Sequence, residues 1–280
     1  MDGLAELEAL PLGLPEGLEL EWLGVAGYRL TYEGTSILVD PYVSRVPLRS
    51  VLLRRPALPD DGVIDRYVKP PGPVAGILVG HTHWDHAVDA PALARRFDAP
   101  AFGSESLAQL MRLHGRASTV VEPRKRYELG PFVVSFTPSR HSKLLFGRKV
   151  PFAGPLTCED VHALTPGAYK CGAVYGIRIE VAGIALYHQG SADLDDDALG
   201  HEPVDVFLAG VTGRQVTPRY WERILPKLDP RVLVPTHYDD FFAPLGTRLK
   251  LIRKVNLEGV PDEVRAVTQD ATVAALRRVD

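Results

Sequence analysis

The chain has 280 residues, of which 24% are charged and 45% are hydrophobic, and its formal net charge is −3. This length is ample to bury a continuous core, so we predict one domain spanning residues 1–280. The charge is nearly balanced and carries no block of one sign, which argues against a partner as anionic as long nucleic acid.

The sequence also argues against a membrane span or a secretory leader. No apolar run approaches the roughly 18 residues that a spanning helix needs. The first 22 residues are acidic, are interrupted by Pro11 and Pro15, and lack the basic start of a secretory signal. We therefore expect a cytoplasmic protein. Its two cysteines, Cys158 and Cys171, are predicted to be free or buried thiols, because the default compartment is then reducing.

Alternating apolar residues predict strands at the start of the chain. The runs 18–23, 28–32 and 35–39 indicate an antiparallel meander that ends at Asp40-Pro41. Two long segments, 41–73 and 142–170, show no clear period and are predicted to be largely irregular. Further strands are predicted over 74–79, 132–136, 174–181, 184–188, 204–211 and 231–235, with helices from Asp89 onward and over 218–228. Asp89 is predicted to cap the first of these helices, with Pro91 in its first turn.

The strongest motif follows the predicted strand 74–79 and reads HxHxDH, from His81 to His86. In extended backbone, residues i and i+2 point the same way, so His81 and His83 can approach one ion. Asp85 and His86 come after the chain bends and can approach a second point. Imidazole and carboxylate ligands suit zinc, and also iron or manganese, whereas a structural zinc site would use cysteines.

Two more histidines follow predicted strands. His141 comes after the strand that begins at residue 132, and His237 comes after the strand 231–235. Side chains at the ends of separate buried strands converge at one edge of a sandwich. We therefore predict that both are metal ligands.

These passages resemble the metallo-β-lactamase superfamily, and most closely its L-ascorbate-6-phosphate-lactonase-like branch of hydrolases. The resemblance rests on 27–41, the HTHWDH motif, 138–141, 187–190 and 235–237. It implies an α/β fold, a four-layer αββα sandwich, with a two-metal site on one edge. The implied ligands are His81, His83 and His141 for the first metal, and Asp85, His86 and His237 for the second.

One departure from the family pattern concerns the carboxylate that bridges both metals. Ser191 stands at the expected position, and Asp193 follows two residues later. We predict Asp193 as a metal ligand in a bulged loop; the alternative is that Asp193 caps a helix opening at Leu194. His188, which ends the preceding strand, is predicted to hydrogen-bond or pack beside the site.

The mechanism implied is hydrolysis by a hydroxide held on two divalent ions, predicted to be zinc, with manganese or iron as alternatives. Asp85 would ligate the second metal and orient the nucleophile, and His237 or a bound water would protonate the leaving group. The substrate is predicted to be a small ester, lactone or phosphoester. Four arginines near strand ends are either contacts for an anionic substrate or surface charges: Arg140, Arg148, Arg214 and Arg219.

Two other functions stay open. One is a phosphodiesterase acting on nucleotides or phospholipids. The other is a metal-binding sensor or partner-binding protein with little turnover, for which Ser191 is the support.

Overall fold

The computed structural model describes residues 2–144 and 147–279, and its strands form two sheets. The first sheet begins with the predicted meander, and its last four strands run parallel. In spatial order its strands are β1 (Glu19–Gly24), β2 (Gly27–Tyr32), β3 (Thr35–Val39), β4 (Val74–Leu78), β5 (Ala101–Gly103) and β6 (Thr119–Val120).

The second sheet combines an antiparallel half with a parallel half. Its strands are β7 (Tyr127–Leu129), β8 (Phe132–Ser139), β9 (Val174–Val181), β10 (Ile184–Gln189), β11 (Val206–Gly210), β12 (Val232–Thr236) and β13 (Thr272–Val273). Strands β7 to β10 pair antiparallel, and β10 to β13 pair parallel. The predicted hairpin 174–188 is confirmed as β9 and β10.

Helices cover the sheets and fill parts of the long connections. They are α1 (Asp2–Glu8), α2 (Leu48–Leu52), α3 (Asp61–Tyr67), α4 (Trp84–Ala87), α5 (Ala90–Phe97), α6 (Glu105–Leu113), α7 (Tyr220–Leu228) and α8 (Val260–Arg265). The segment 41–73 thus holds two short helices, while 147–170 holds only two short 3₁₀ turns among its described residues. No helix in 2–144 or 147–279 has both the length and the hydropathy to cross a bilayer.

The main core lies between the two sheets. Buried side chains from β2 and β3, such as Leu30 and Ile37, join the same cluster as Phe136 of β8 and Leu208 of β11. A second cluster packs α5 and α6 against the first sheet, with Leu93 and Leu107 fully buried. Burial of two faces explains why β4 and β11 are almost wholly apolar.

The strand directions bring several loops to one edge. Strands β3 and β4 run parallel, as do β10, β11 and β12, and β8 runs in the same direction as β10 because each is antiparallel to β9. The residues that follow these strands therefore share an edge of the sandwich. They include Asp40, His81, His141, Ser191 and His237.

The predicted helix after residue 89 is present, with Pro91 in its first turn, but Asp89 does not cap it with its side chain. The Asp89 carboxylate instead accepts hydrogen bonds from the backbone N–H groups of Val43 (2.7 Å) and Ser44 (2.9 Å), and from the Ser44 hydroxyl. It therefore fixes the chain that leaves β3, a role that depends on a contact 45 residues away in sequence.

Candidate metal centre

Three histidines form the first half of the site, which we name the trihistidine group: His81, His83 and His141. Each offers one ring nitrogen, and these nitrogens lie within 4.8 Å of one another. His81 Nε2 is 3.1 Å from His83 Nδ1, and the His141 ring centre is 4.7 Å from that of His83. The segment between β4 and α4 supplies two of these rings, and the segment that follows β8 supplies the third.

Asp85, His86 and His237 form the second half, which we name the carboxylate group. Their ligand atoms also lie within 4.8 Å of one another. Asp85 and His86 stand on α4, a single turn that starts directly after His83, so the bend expected in the motif is a short helix. His237 Nε2 lies 3.1 Å from Asp85 Oδ2, and His86 Nε2 lies 3.9 Å from the same oxygen.

A second carboxylate, Asp40, joins the two halves, and it was not among the residues predicted from the sequence. Asp40 forms a third convergent group with His81 and His86. Its Oδ2 is 2.8 Å from His86 Nδ1, and its Oδ1 accepts a hydrogen bond of 2.6 Å from the Gly80 N–H. The signal in the sequence was its position: Asp40 ends the strand that neighbours β4, so its side chain reaches the same edge.

The hydrogen bonds on the outer side of the rings fit a metal centre. Histidines that bind metals donate their other ring N–H to a carbonyl or a carboxylate, which sets the tautomer and aims the free nitrogen. Three of the rings here have such a partner. The contacts are His83 Nε2 to the Pro151 carbonyl (2.9 Å), His141 Nδ1 to the Ser142 carbonyl (2.8 Å) and His86 Nδ1 to Asp40 (2.8 Å).

Burial keeps the trihistidine group neutral. Burial and the neighbouring imidazoles hold the pKa of His81 well below its usual range. Burial lowers the pKa of His83 to about 4 and that of His141 to about 3. Neutral imidazole is the form that binds a metal, so these rings stay competent as ligands in mildly acidic solution.

The carboxylate group carries charge instead. For His86, burial acts to lower the pKa, but Asp40 and Asp85 outweigh it, and the pKa is raised. For Asp85, burial acts to raise the pKa, but His86 and the hydrogen bond with His237 outweigh it, and the pKa is held well below its usual range. Asp85 is therefore an ionised carboxylate at neutral pH.

The structure places Ser191 beside the site and Asp193 away from it. Ser191 is buried and its hydroxyl accepts a hydrogen bond of 3.1 Å from the Ser142 N–H. The Asp193 carboxylate belongs to none of the convergent groups; it accepts hydrogen bonds from the Leu194 N–H (2.9 Å) and from Arg223 (3.1 Å). The ion pair with Arg223 directs Asp193 outward, and its chain continues as a turn, not as a helix.

Gly190 allows this loop to come close to the metal centre. A Cβ at position 190 would lie 2.8 Å from Asp40 Oδ2, which is too close without a shift of one of these groups, and 3.1 Å from His86 Cε1, which is a tight contact. A glycine is therefore needed here for close approach. The pattern His188-Gln189-Gly190 was visible in the sequence, but only the structure shows what the glycine avoids.

His188 packs beside the site as predicted. It is fully buried, its Nε2 donates to the Ala26 carbonyl (2.9 Å), and its Nδ1 is 3.8 Å from Asp40. The prediction of free thiols is also confirmed: Cys158 and Cys171 are unpaired, and burial raises the pKa of Cys171 to about 12.

A small cavity opens over both halves of the site, with a volume of about 160 Å³. Its described lining holds no lysine or arginine. Of the four arginines singled out in the sequence, Arg140 pairs with Asp195 and Arg214 pairs with Glu263. The lining consists of His83, Trp84, Asp85, His141, Ser142, Leu144, Pro151, Phe152, Gly190, Ser191, Thr212, His237 and Phe241.

The loop that carries His237 is interlocked with the turn between β1 and β2. His237 and Val25 both adopt left-handed backbone conformations, with φ of 59° and 52°, which a β-branched valine rarely does. The Val25 carbonyl accepts hydrogen bonds from the His237 N–H (2.8 Å), the Thr236 hydroxyl (2.6 Å) and Trp22 Nε1 (3.0 Å). These bonds hold His237 at its angle to Asp85.

Asp239 also holds the turn that contains Val25. Its Oδ1 accepts a hydrogen bond of 2.8 Å from the Val25 N–H, and its Oδ2 pairs with Arg45 at 2.8 Å. Arg278, near the end of the chain, lies 3.7 Å from the same oxygen. All three side chains are buried, so each charge depends on the others for compensation.

Comparisons with known proteins agree with this architecture. The sequence model of the family described as "Beta-lactamase superfamily domain" matches residues 19–237. A protein of Anaeromyxobacter sp. (strain K) named UPF0173 metal-dependent hydrolase is 28% identical over 269 residues, which cover 91% of this chain and 86% of that protein.

Two solved structures share the fold. Igni18, a metallo hydrolase from Ignicoccus hospitalis, has a TM-score of 0.58 and 19% identity, and the match covers 94% of this chain and 96% of that chain. The metallo-beta-lactamase fold protein YhfI from Bacillus subtilis has a TM-score of 0.58 and 14% identity, with coverage of 94% and 97%. The predicted sandwich is therefore confirmed.

Proposed function

The chain belongs to the metallo-β-lactamase superfamily, and from this premise we propose that it is a metal-dependent hydrolase of a small, uncharged carboxylic ester or lactone. Relatives named metal-dependent hydrolases support the hydrolase chemistry. The observation that carries the proposal is the pair of convergent groups, each within 4.8 Å, at the wall of one small cavity.

We propose two divalent cations for this site. The trihistidine group would hold one, and the carboxylate group, with Asp40 beside it, would hold the other. We favour zinc because the donors are imidazole and carboxylate, although manganese and iron accept the same set. Divalent cations in such sites supply an activated water and stabilise negative charge on a substrate oxygen.

Asp85 is placed for the first proton transfer. The ionised Asp85 carboxylate lines the cavity and can orient an attacking water as a hydrogen-bond acceptor. His237 Nε2 lies 3.1 Å from Asp85 Oδ2, and the His237 ring borders the same cavity. A ring nitrogen that binds the second cation carries no proton, so a water in the cavity would protonate the leaving oxygen.

The cavity lining favours an uncharged substrate. Its walls include five apolar side chains, Trp84, Leu144, Pro151, Phe152 and Phe241. The remaining polar groups include the hydroxyls of Ser142, Ser191 and Thr212, and the described lining has no fixed cation. A phosphodiester keeps a negative charge that proteins usually meet with arginine, so an ester or lactone fits better.

The test is metal analysis combined with turnover on three substrate classes. Protein loaded separately with zinc, manganese or iron is assayed for ions per chain and for hydrolysis of an aryl ester, a lactone and an aryl phosphodiester. We expect two ions per chain, with ester or lactone hydrolysis exceeding diester hydrolysis. The Asp85→Asn variant, which keeps the side-chain shape, should lose turnover.

Two outcomes would overturn this proposal. A preference for the diester would support the phosphodiesterase. One tightly held ion, with all three substrates left intact, would support the metal-binding sensor, the function that Ser191 in place of a bridging carboxylate favours.

A further inference from the structure

A short surface segment around α2 exposes leucines and arginines together. Leu48, Leu52 and Leu53 are 49%, 73% and 59% exposed, whereas large apolar side chains are mostly buried elsewhere in the described chain. Arg49, Arg54 and Arg55 belong to the same segment and are exposed as well. We call these six residues the α2 face.

The arginines of the α2 face have no acidic partners among the described residues. Residues 41–59 contain four arginines and no aspartate or glutamate. Arginines on the neighbouring surface are paired: Arg95 with Asp61 and Arg96 with Asp65. The α2 face therefore combines uncompensated positive charge with exposed aliphatic surface, although the whole chain is net negative.

The α2 face is continuous with the mouth of the cavity. Helix α2 packs against the 3₁₀ turn Pro166–Ala168. At Gly167 this turn meets Phe152, since a Cβ there would lie in van der Waals contact, 3.6 Å from the Phe152 ring. Phe152 in turn lines the cavity and is 36% exposed.

The rim of the cavity near Phe152 also combines exposed apolar and basic side chains. Lys143 and Leu144 are exposed, as are Arg148 and Lys149, and Leu144 lines the cavity. Residues 141–158 contain no acidic residue. The cavity mouth thus lies among exposed apolar side chains that are flanked by cations.

We propose that the α2 face and this rim form a docking surface for an anionic phospholipid bilayer. Arginine and lysine are attracted to anionic head groups, and leucine inserts at the boundary of the acyl chains. Sites for single-stranded nucleic acid place cations beside aromatic rings, and protein hot spots favour tryptophan, tyrosine and arginine over leucine. The apolar side chains of the α2 face are all leucines, with no aromatic ring among them, so a bilayer fits it better.

Docking would set the cavity mouth against the lipid head groups. The proposal does not rest on the proposed hydrolase function, because none of the six residues of the α2 face belongs to the metal centre. It is tested by binding alone, so its failure and the failure of the hydrolase proposal are distinguishable.

The experiment is co-sedimentation of the full chain with vesicles. One set is phosphatidylcholine alone, and the other contains about one quarter phosphatidylglycerol, an anionic lipid. We expect binding to the anionic vesicles, weakening as salt is raised, and little binding to the neutral ones. The triple variant Arg49→Gln, Arg54→Gln, Arg55→Gln should bind about 100-fold more weakly. The double variant Leu52→Gln, Leu53→Gln should bind at least about tenfold more weakly.

Matched controls come from another exposed basic segment. The variant Lys250→Gln, Arg253→Gln, Lys254→Gln removes the same charge, and Leu251→Gln replaces a leucine that is 42% exposed. Both should bind like the unchanged chain. Equal losses in the controls would overturn the proposal, as would the absence of binding to anionic vesicles. Tight capture by soluble heparin that is lost in the arginine variant but kept in the leucine variant would assign the surface to a polyanion instead.

Discussion

The two halves of the metal centre lie side by side but differ in charge. The trihistidine group has three neutral rings, with no carboxylate among them, and burial lowers the pKa of each. The carboxylate group contains an ionised Asp85 and a His86 whose pKa is raised, and Asp40 adds a second acid. In the first half, burial keeps the histidines neutral and able to bind a cation, and in the second half an ionised carboxylate attracts the cation.

One short motif supplies residues to both halves because its backbone changes from extended to helical within it. In HxHxDH the first two histidines extend from a strand end, and the last two ligand residues lie on one helical turn. The turn directs Asp85 and His86 toward Asp40 and His237, away from His141. His81 and His86 share a convergent group with Asp40, whereas His141 belongs to the first half alone and His237 to the second half alone.

The largest effect is expected from His83→Ala, which removes a ring from the trihistidine group. Metal content and turnover should fall together, and turnover should drop by more than the 10- to 100-fold that is typical for residues behind the ligands. Elemental analysis and ester assays measure both. Full metal content in this variant would show that His83 is not a ligand.

The pH dependence of the metal-free protein tests the neutrality of the trihistidine group. The folded pKa values of His83 and His141, about 4 and about 3, lie below the ordinary value near 6.5. Between pH 7.5 and pH 5 the unfolded chain therefore gains protons that these rings do not accept, and stability is lost as pH falls. The raised pKa of His86 acts in the opposite direction.

Urea denaturation of chelator-treated protein measures this loss. We expect the free energy of unfolding to fall by roughly 2 to 4 kcal/mol between pH 7.5 and pH 5. The His83→Gln variant should show a shallower pH dependence, by about one proton. A stability that is flat or rises toward pH 5 would contradict the neutral state assigned to these rings.

Asp40→Asn tests the carboxylate that lies between His81 and His86. It removes the charge beside His86 but keeps the side-chain shape, so the second ion should bind 10- to 100-fold more weakly, while the first stays bound. A calorimetric titration with the metal measures the affinities of the two ions separately. Asp193→Asn is the matched control: because that carboxylate pairs with Arg223, metal stoichiometry should not change.

Ser191→Asp should sharpen the comparison in the other direction. The side chain lines the cavity together with His141 and His237, so an added carboxylate would lie near both halves. We expect the second ion to bind about tenfold more tightly, the smallest of these effects. The Ser191→Asn variant has the same side-chain shape without the charge, and equal tightening in both variants would argue against a bridging role for the carboxylate.

Much of this arrangement was predictable because it depends on local pattern. The alternation in 18–39 and the apolar runs that became β4, β11 and β12 place strands whose ends carry His81 and His237. The spacing in HxHxDH then indicates two convergent points. Periodicity and motif spacing are properties of neighbouring residues, so sequence reasoning reaches them.

What was missed depends on contacts across the fold. Asp193 and Asp40 are both acidic residues near strand ends, and nothing local distinguishes them. The structure distinguishes them by their contacts. Arg223 of α7 forms an ion pair with Asp193, whereas the Asp40 carboxylate contacts His86 and accepts a hydrogen bond from the Gly80 N–H. Asp89 failed as a helix cap for the same reason, since Val43 and Ser44 satisfy its carboxylate.

The buried Asp239 has a consequence for the order in which the molecule assembles. Its partners Val25 and Arg45 are separated from it by 214 and 194 residues, and Arg278 lies near the C-terminal end of the chain. Contacts with such long loops form late, because the entropy of closing them is compensated only when neighbouring structure already exists. His237 is thus set in its final geometry near the end of folding, and the ability to capture the second cation should appear after most of the sheet structure has formed.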